Sequence, residues 1–347
     1  MYFKKLLFFI PLILLSCEKE TTVNYANDYG NGTYILTDNG LSFIKRNSFT
    51  IEEQAFRKVN NISIQNPKNL LIYGSKLYII GKDFYAANLN SLELLGQVGG
   101  FSNASDCAII PQNRAFVTDK DESLVKLVDL NNYKIISEIE TGNNTSPSFI
   151  INKLDKSFVL NSGSEQNLDS TLVTITYKDN LIPLADISGD LIIGKNPNSA
   201  INSGNIMVLC SGVYDDDNPS NNTESSFYSI YPSDLLISFS KELSGIYNAK
   251  NLIENYSGNN YYFSAEGGIF RTNTTITNIN PLISIDSDLL RINSEQYAVN
   301  DSTNAYSDML YMNDINNSGK IYKFNTNLSS FVDTITVNGK VLDIVFK

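Results

Sequence analysis

Tyr34-Ile35-Leu36-Thr37-Asp38-Asn39 is the first of seven six-residue segments, each with two or three apolar residues followed by small or acidic ones. The others are Tyr78-Ile79-Ile80-Gly81-Lys82-Asp83, Ala115-Phe116-Val117-Thr118-Asp119-Lys120, Ser157-Phe158-Val159-Leu160-Asn161-Ser162, Ile206-Met207-Val208-Leu209-Cys210-Ser211, Tyr261-Tyr262-Phe263-Ser264-Ala265-Glu266 and Leu310-Tyr311-Met312-Asn313-Asp314-Ile315. Their starts lie 44, 37, 42, 49, 55 and 49 residues apart. A period of this size fits one four-stranded blade of a β-propeller. An almost continuous apolar run is what a strand shows when neighbouring blades cover both its faces.

The surroundings of each copy fit the same unit. An apolar segment precedes it, as at Asn69 to Tyr73 or Ala108 to Ile110, and two more follow, as at Leu124 to Asp129 and Lys134 to Ile139. Turn signals such as Asp129-Leu130-Asn131-Asn132 separate the last pair. Helical patterning is scarce. At the ends, Lys340 to Phe346 reads as a first strand with nothing after it, and Tyr34 to Leu36 as a second strand with no first strand before it. Pairing them completes one blade and removes an open sheet edge. The expected fold is therefore all-β, a seven-bladed propeller over residues 33–347 closed by its N- and C-terminal segments, at about 45 residues per blade.

The start of the chain carries a different message. Lys4 and Lys5 precede an apolar run from Leu6 to Leu15, and Leu14-Leu15-Ser16-Cys17 closes it in a way that resembles the lipobox of bacterial lipoproteins. An apolar run of about ten residues is too short for a transmembrane helix, which needs roughly 20. The resemblance implies a signal peptide over residues 1–16, lipidation of Cys17, and a flexible tether over residues 17–32 that anchors the protein without spanning the membrane. Glu18-Lys19-Glu20 resembles the short export tag that sends lipoproteins of Bacteroidetes to the cell surface.

Composition narrows the function. The chain carries a net charge of −11, which becomes −13 once Lys4 and Lys5 leave with the signal. A surface this acidic is a poor match for nucleic acid, which needs clustered cations. Histidine is absent, which removes the commonest general base and the usual catalytic zinc ligand, and argues against an enzyme. Carboxylate pairs on the propeller rim are the remaining route to acid–base chemistry. Cys107 and Cys210 sit in apolar stretches and read as buried free thiols.

With no tryptophan anywhere, the WD and kelch signatures are missing. The second-strand segments instead resemble YVTN-type propellers. Asn161-Ser162-Gly163 with Leu168-Asp169-Ser170-Thr171, Gly194-Lys195-Asn196-Pro197-Asn198-Ser199 leading to Val208-Leu209-Cys210-Ser211-Gly212, and Met309 to Phe324 sharpen the likeness to the YncE-like surface lipoproteins of Bacteroidetes. That group includes propellers that capture cobalamin and pass it to a TonB-dependent outer-membrane transporter. The resemblance implies an outer-membrane, surface-exposed, ligand-binding protein whose ligand is a corrinoid or another small molecule. A structural or adhesion propeller for a protein or glycan partner is the alternative.

In such a ring, the six-residue segments end on one face. Their tips, Asp38, Asn39, Asp83, Asp119, Asn161, Ser162, Ser211, Glu266, Asn313 and Asp314, are the expected ligand-binding positions, forming a polar, acidic rim. Asp, Asn and Ser are also good turn formers, so each has a purely local explanation. Two loops stand out in length, Gly163 to Asp169 after the fourth copy and Val213 to Ser225 after the fifth. The second offers Tyr214 as a stacking contact. It also offers Asp215, Asp216 and Asp217 as oxygen ligands for Ca2+, without the spacing or glycine of an EF-hand loop.

Overall fold

The architecture is taken from a computed structural model that describes residues 29–163, 169–177, 186–300 and 303–347. The lipobox, Cys17 and the tether up to residue 28 lie outside the described residues, as do 164–168 of the first long loop.

Seven four-stranded antiparallel sheets make up the described structure, with one short α-helix, Ala55–Asn60, and a 3-10 turn, Pro219–Asn221. Each sheet is one blade. Blade 1 joins residues 32–52 to 341–346, and blades 2 to 7 cover 69–98, 104–140, 147–192, 197–242, 250–283 and 290–336. The C-terminal strand Val341–Phe346 is the inner strand of blade 1 and pairs antiparallel with Gly32–Thr37, so the expected closure is present.

The near-continuous apolar runs follow from the pleat. Successive side chains of a strand point to opposite faces, and in a ring both faces meet another blade. In blade 3, Phe116 packs with Ile150, Val159 and Val173 of blade 4, while Ala115 and Val117 pack with Tyr78, Ile80 and Phe84 of blade 2. In blade 6, Phe263 faces Leu209 and Phe227 of blade 5, and Tyr262 faces Leu290 and Leu310 of blade 7. Full burial of one such side chain stabilises by about 1.5–3 kcal/mol. The core is thus seven apolar clusters between blades rather than one central one.

The outer strands read differently. Ile237–Glu242 of blade 5 is exposed along its whole length, and Ser330–Thr336 of blade 7 nearly so. Blade 7 also has the longest inner hairpin, Leu290–Asn300 with Thr303–Asn313, against five to seven residues per strand in the inner pairs of the other blades.

Strand direction fixes two faces. Every second strand ends on the tip face, where the inner strands begin. The chain joins the ring on the opposite face, where the Tyr29 amide donates to Asn90 O at 3.0 Å and the Gly32 amide to Lys347 O at 3.1 Å.

Candidate functional site: the channel mouth

Inner strands begin with irregularities. Register shifts fall between Ala104 and Cys107, Pro147 and Phe149, Pro197 and Ser199, and Lys250 and Ile253, and opposite Val341 to Asp343. A β-bulge re-aims a side chain, and here the re-aimed residues reach sideways to the next blade. Asp343 Oδ2 accepts the Leu70 amide at 2.8 Å, Asp106 Oδ2 the Ile150 amide at 3.0 Å, and Ser199 Oγ the Leu252 amide at 3.1 Å.

Asp106 joins three blades. Its Oδ1 accepts from Asn69 Nδ2 at 2.8 Å and from its neighbour's amide, Cys107 N, at 2.9 Å. Burial pushes its carboxyl up to about 7, against the pull of the Ile150 and Cys107 amides; nearby Asp343 raises it further and Arg291 lowers it. Asp343, 1 % exposed, pairs with Arg291 Nη2 at 2.6 Å, and burial outweighs that partner so that its pKa is also raised. Across blades 6, 7 and 1, Lys250 Nζ lies 2.7 Å from Asp288 Oδ1 and Lys340 Nζ 3.5 Å from Asp288 Oδ2. Burial opposes charge on Asp288, but the two ammonium groups hold its carboxyl below the usual range.

The expectation of an exposed acidic rim is corrected at five of its ten tip positions. Asp119 is fully buried: its oxygens accept the Ser102 and Asn103 amides at 2.8 and 2.7 Å and pair with buried Lys126 at 3.0 Å. Lys126 also donates to Gly100 O at 2.7 Å and to Glu122. Removing one member of such a pair leaves an uncompensated buried charge, a loss of about 3–5 kcal/mol. Asn313 does the same work in blade 7, where Oδ1 accepts the Asp288 and Leu289 amides at 3.0 and 3.1 Å. Asn161 donates to Thr171 Oγ1 at 2.9 Å, Ser162 to Ser146 O at 3.1 Å, and Ser211 to Ala249 O at 2.7 Å; all three are buried. Asp119, Ser162, Ser211 and Asn313 tie down the segment that leads into an inner strand, whereas Asn161 reaches Thr171 at the start of the third strand of its own blade and leaves its buried Oδ1 without a partner. Buried polar groups need such partners, which explains why the repeat ends in them.

The other tips remain accessible. Asp38 and Asn39 are exposed, with Asp38 Oδ1 accepting the Lys340 amide at 2.8 Å. Asp83 is half-buried and accepts from Gln97, and Asp314 accepts from Asn316 N at 2.8 Å within its own turn. Glu266 is exposed.

The long loop of blade 5 is a built structure. The Val213 amide donates to Thr223 Oγ1 at 2.8 Å and the Asp215 amide to Asn222 Oδ1 at 2.7 Å. At its base Gly212 has φ +74°, and a Cβ there would stand 2.2 Å from Thr223 O, so only glycine fits. Asp215 accepts the Asn218 amide at 2.9 Å and Asn221 Nδ2 at 3.0 Å, bonds that lower its pKa. Its oxygens face the loop's own donors, leaving Asp216 and Asp217 outside. Among the described residues no three acidic or cysteine side chains are grouped to hold a metal ion. Tyr214 hydrogen-bonds to Asp216 and to Glu266 of the next blade, which, with some desolvation, push its phenol up to about 12. Two of the expected ligand contacts, Tyr214 and Glu266, are thus brought together.

Asn69, Asp106, Ser199, Arg291 and Asp343 were missed in the sequence. A single polar residue near the start of an otherwise apolar inner strand marks Asn69 and Asp343; Asp106, Ser199 and Arg291 lie in strands with further polar residues and carry no such signal. Cys107 and Cys210 are buried free thiols, as expected.

No protein-family model and no curated protein matches the chain. Among solved structures it is similar to a quinonprotein alcohol dehydrogenase-like protein from Bacteroides thetaiotaomicron, at 15 % identity and TM-score 0.61, covering 92 % of this chain and 78 % of that one. It is also similar to a functionally unknown protein from Desulfotomaculum acetoxidans, at 12 % identity and TM-score 0.62, covering 90 % and 98 %. A Lactobacillus plantarum protein gives 9 % identity and TM-score 0.65, with 91 % and 99 % covered. At these identities the likeness is one of fold, the β-propeller, and function has to be argued from the site.

Proposed function

We propose that this protein is an outer-membrane lipoprotein, exposed at the cell surface, that captures a small ligand at the channel mouth and passes it to a TonB-dependent transporter, without chemistry of its own. The observation that carries this reading is the chain's path: it joins the ring at Tyr29 to Gly32, on the face opposite the mouth. A lipid on Cys17 would therefore hold the ring by its back and present the mouth away from the membrane. The absence of histidine, and the commitment of Asp106 and Asp343 to amides of neighbouring blades, favour holding over transforming.

A corrinoid is the ligand to test first, since the sequence resembles corrinoid-capturing propellers. Titrating the lipid-free protein with a corrinoid panel by calorimetry should give saturable binding, and Tyr214→Ala with Glu266→Ala should weaken it about tenfold, the loss of one charged hydrogen bond and a stacking face. Absence of heat with every member rejects the corrinoid.

The adhesion reading has an observation of its own. The outer strand Ile237–Glu242 is exposed throughout and presents Ile237 and Phe239 beside Leu236. An open edge of this kind can accept a strand from a partner. A stable complex from outer-membrane extract that Phe239→Lys abolishes, and that channel-mouth variants leave intact, would favour this second reading.

A further inference from the structure

Large apolar side chains left in solvent are spread unevenly over the ring. The loops between a blade's first and second strands, and between its third and fourth, open on the face where the chain enters at Tyr29 to Gly32. Among the described residues, eight of the fifteen exposed large apolar side chains stand at or near those loops. They include Phe49 of blade 1, Tyr73 of blade 2, Leu154 of blade 4, Tyr256 of blade 6, and Tyr306 and Leu328 of blade 7, with two more on blade 5. Six others lie on outer strands, and Ile315 alone stands on the channel-mouth face. Single exposed apolar residues need no explanation, but a set gathered on one face marks a surface of interaction.

These residues are held out by the turns that carry them, where small polar residues are the usual choice. Asn255 Oδ1 accepts the Asn259 and Asn260 amides at 3.0 and 2.9 Å, which closes the blade 6 loop and leaves Tyr256 65 % exposed. Asn325 Oδ1 accepts the Asn327 and Leu328 amides at 2.9 and 3.0 Å, and the Leu328 side chain points away. In blade 1, the Ser48 amide donates to Lys45 O at 3.0 Å and Ser48 Oγ accepts the Thr50 amide at 3.0 Å. Phe49 between them is 96 % exposed, more than any other large apolar residue described.

The path of the chain says what lies against this face. Blade 1 sits between blades 7 and 2, so Tyr306, Leu328, Phe49 and Tyr73 flank the point of entry. Tyr29 follows Cys17 by twelve residues, which span at most about 40 Å fully extended. Charged groups of both signs stand on the same face, Lys76, Arg114 and Lys156 with Glu93, Asp155 and Asp234 among them, so it presents no field of one sign.

We propose that this face rests on the lipid bilayer, with Phe49, Tyr73, Tyr306 and Leu328 dipping into the headgroup region. Tyrosine and phenylalanine suit that depth because the ring is apolar and the phenol tip stays wet. The proposal rests on the capture reading only for the side on which a lipid on Cys17 places the membrane. Contact at this face would orient the ring as well as tether it, holding the mouth outward.

The chain has no tryptophan, so one introduced by substitution is the sole indole reporter. Cys107 and Cys210 are buried, so the chain from Cys17 to Lys347 can be coupled through the Cys17 thiol to a maleimide-headgroup lipid in phosphatidylcholine vesicles. Emission of Phe49→Trp should be at least about twofold lower on brominated than on plain phosphatidylcholine, as insertion to the acyl boundary requires. Ile315→Trp, on the mouth face, should emit equally on both. Adding Tyr73→Ser and Leu328→Ser should reduce the quenching of Phe49→Trp, and high salt should not. Thermal melts confirm that each variant is folded. No quenching of Phe49→Trp, equal quenching of Ile315→Trp, or quenching that salt abolishes overturns the proposal. So does emission that shifts with protein concentration in the absence of vesicles, which assigns the face to a second copy. A shift seen only with outer-membrane extract assigns it to a protein partner and overturns the proposal as well. The mass of Cys17 in protein from its own cells tests the anchor separately. Quenching with an unmodified Cys17 upholds the lipid-binding face and removes the anchor from the capture reading; a lipidated Cys17 without quenching does the reverse.

Discussion

Asp106 shows how one side chain at this mouth serves the ring and feels the pH. Its folded pKa of about 7 lies above its unfolded value near 4, so the native state binds a proton more tightly than the unfolded chain does. That contribution to stability is fully present below pH 4 and is lost as pH rises through 7. The Asp106→Asn variant keeps an acceptor for one amide and cannot ionise. Between pH 4 and 8 the melting temperature of wild type should therefore fall relative to Asp106→Asn. Parallel curves for the two proteins in thermal melts over that range would sink the argument. Asp119 makes the contrast: an acid at a tip that looks functional in the sequence is buried against Lys126 and two amides.

At the scale of the strand, the second strand of each blade is the element most firmly written in the sequence. Phe116 is fully buried between blades 3 and 4. Phe116→Ala should cost about 3–5 kcal/mol, transfer free energy plus a cavity that the rigid neighbouring blade does not fill. Urea unfolding followed by circular dichroism measures this, and a loss below about 1 kcal/mol would mean that the interface repacks. The inner strands were harder to read. Their bulges leave no consistent mark in the residue pattern, so Asp106, Asp343 and Ser199 pass for ordinary strand residues until the neighbouring blade is in place. The outer strands Ile237–Glu242 and Ser330–Thr336 show why apolar content alone misleads, since both carry aromatic residues and both are exposed.

For the molecule as a whole, closure is the decisive contact. Val341–Phe346 supplies the inner strand of blade 1, and with it Asp343, the staple to Leu70 and the partner of Arg291. A chain ending at Lys340 would expose the edge of Gly32–Thr37 and open the ring between blades 7 and 2. It should elute as an oligomer or aggregate on size-exclusion chromatography, where wild type runs as a monomer-sized species; a compact monomer with wild-type stability would show that the last strand is dispensable.

The sequence by itself determined the repeat, the number of blades, the strand order within each blade and the pairing of the ends, because those depend on the spacing of apolar runs along the chain. It also marked which face the tips share. Only the tertiary structure decided which tip residues face solvent and which hold a loop, and that the mouth is lined by lysines rather than by acids alone. Burial and charge at one position are set by neighbours some 40 or more residues away in sequence, such as Asp106 beside Ile150 or Lys340 beside Asp288. No local pattern carries that information. The ring brings those residues together only when all seven blades are in place.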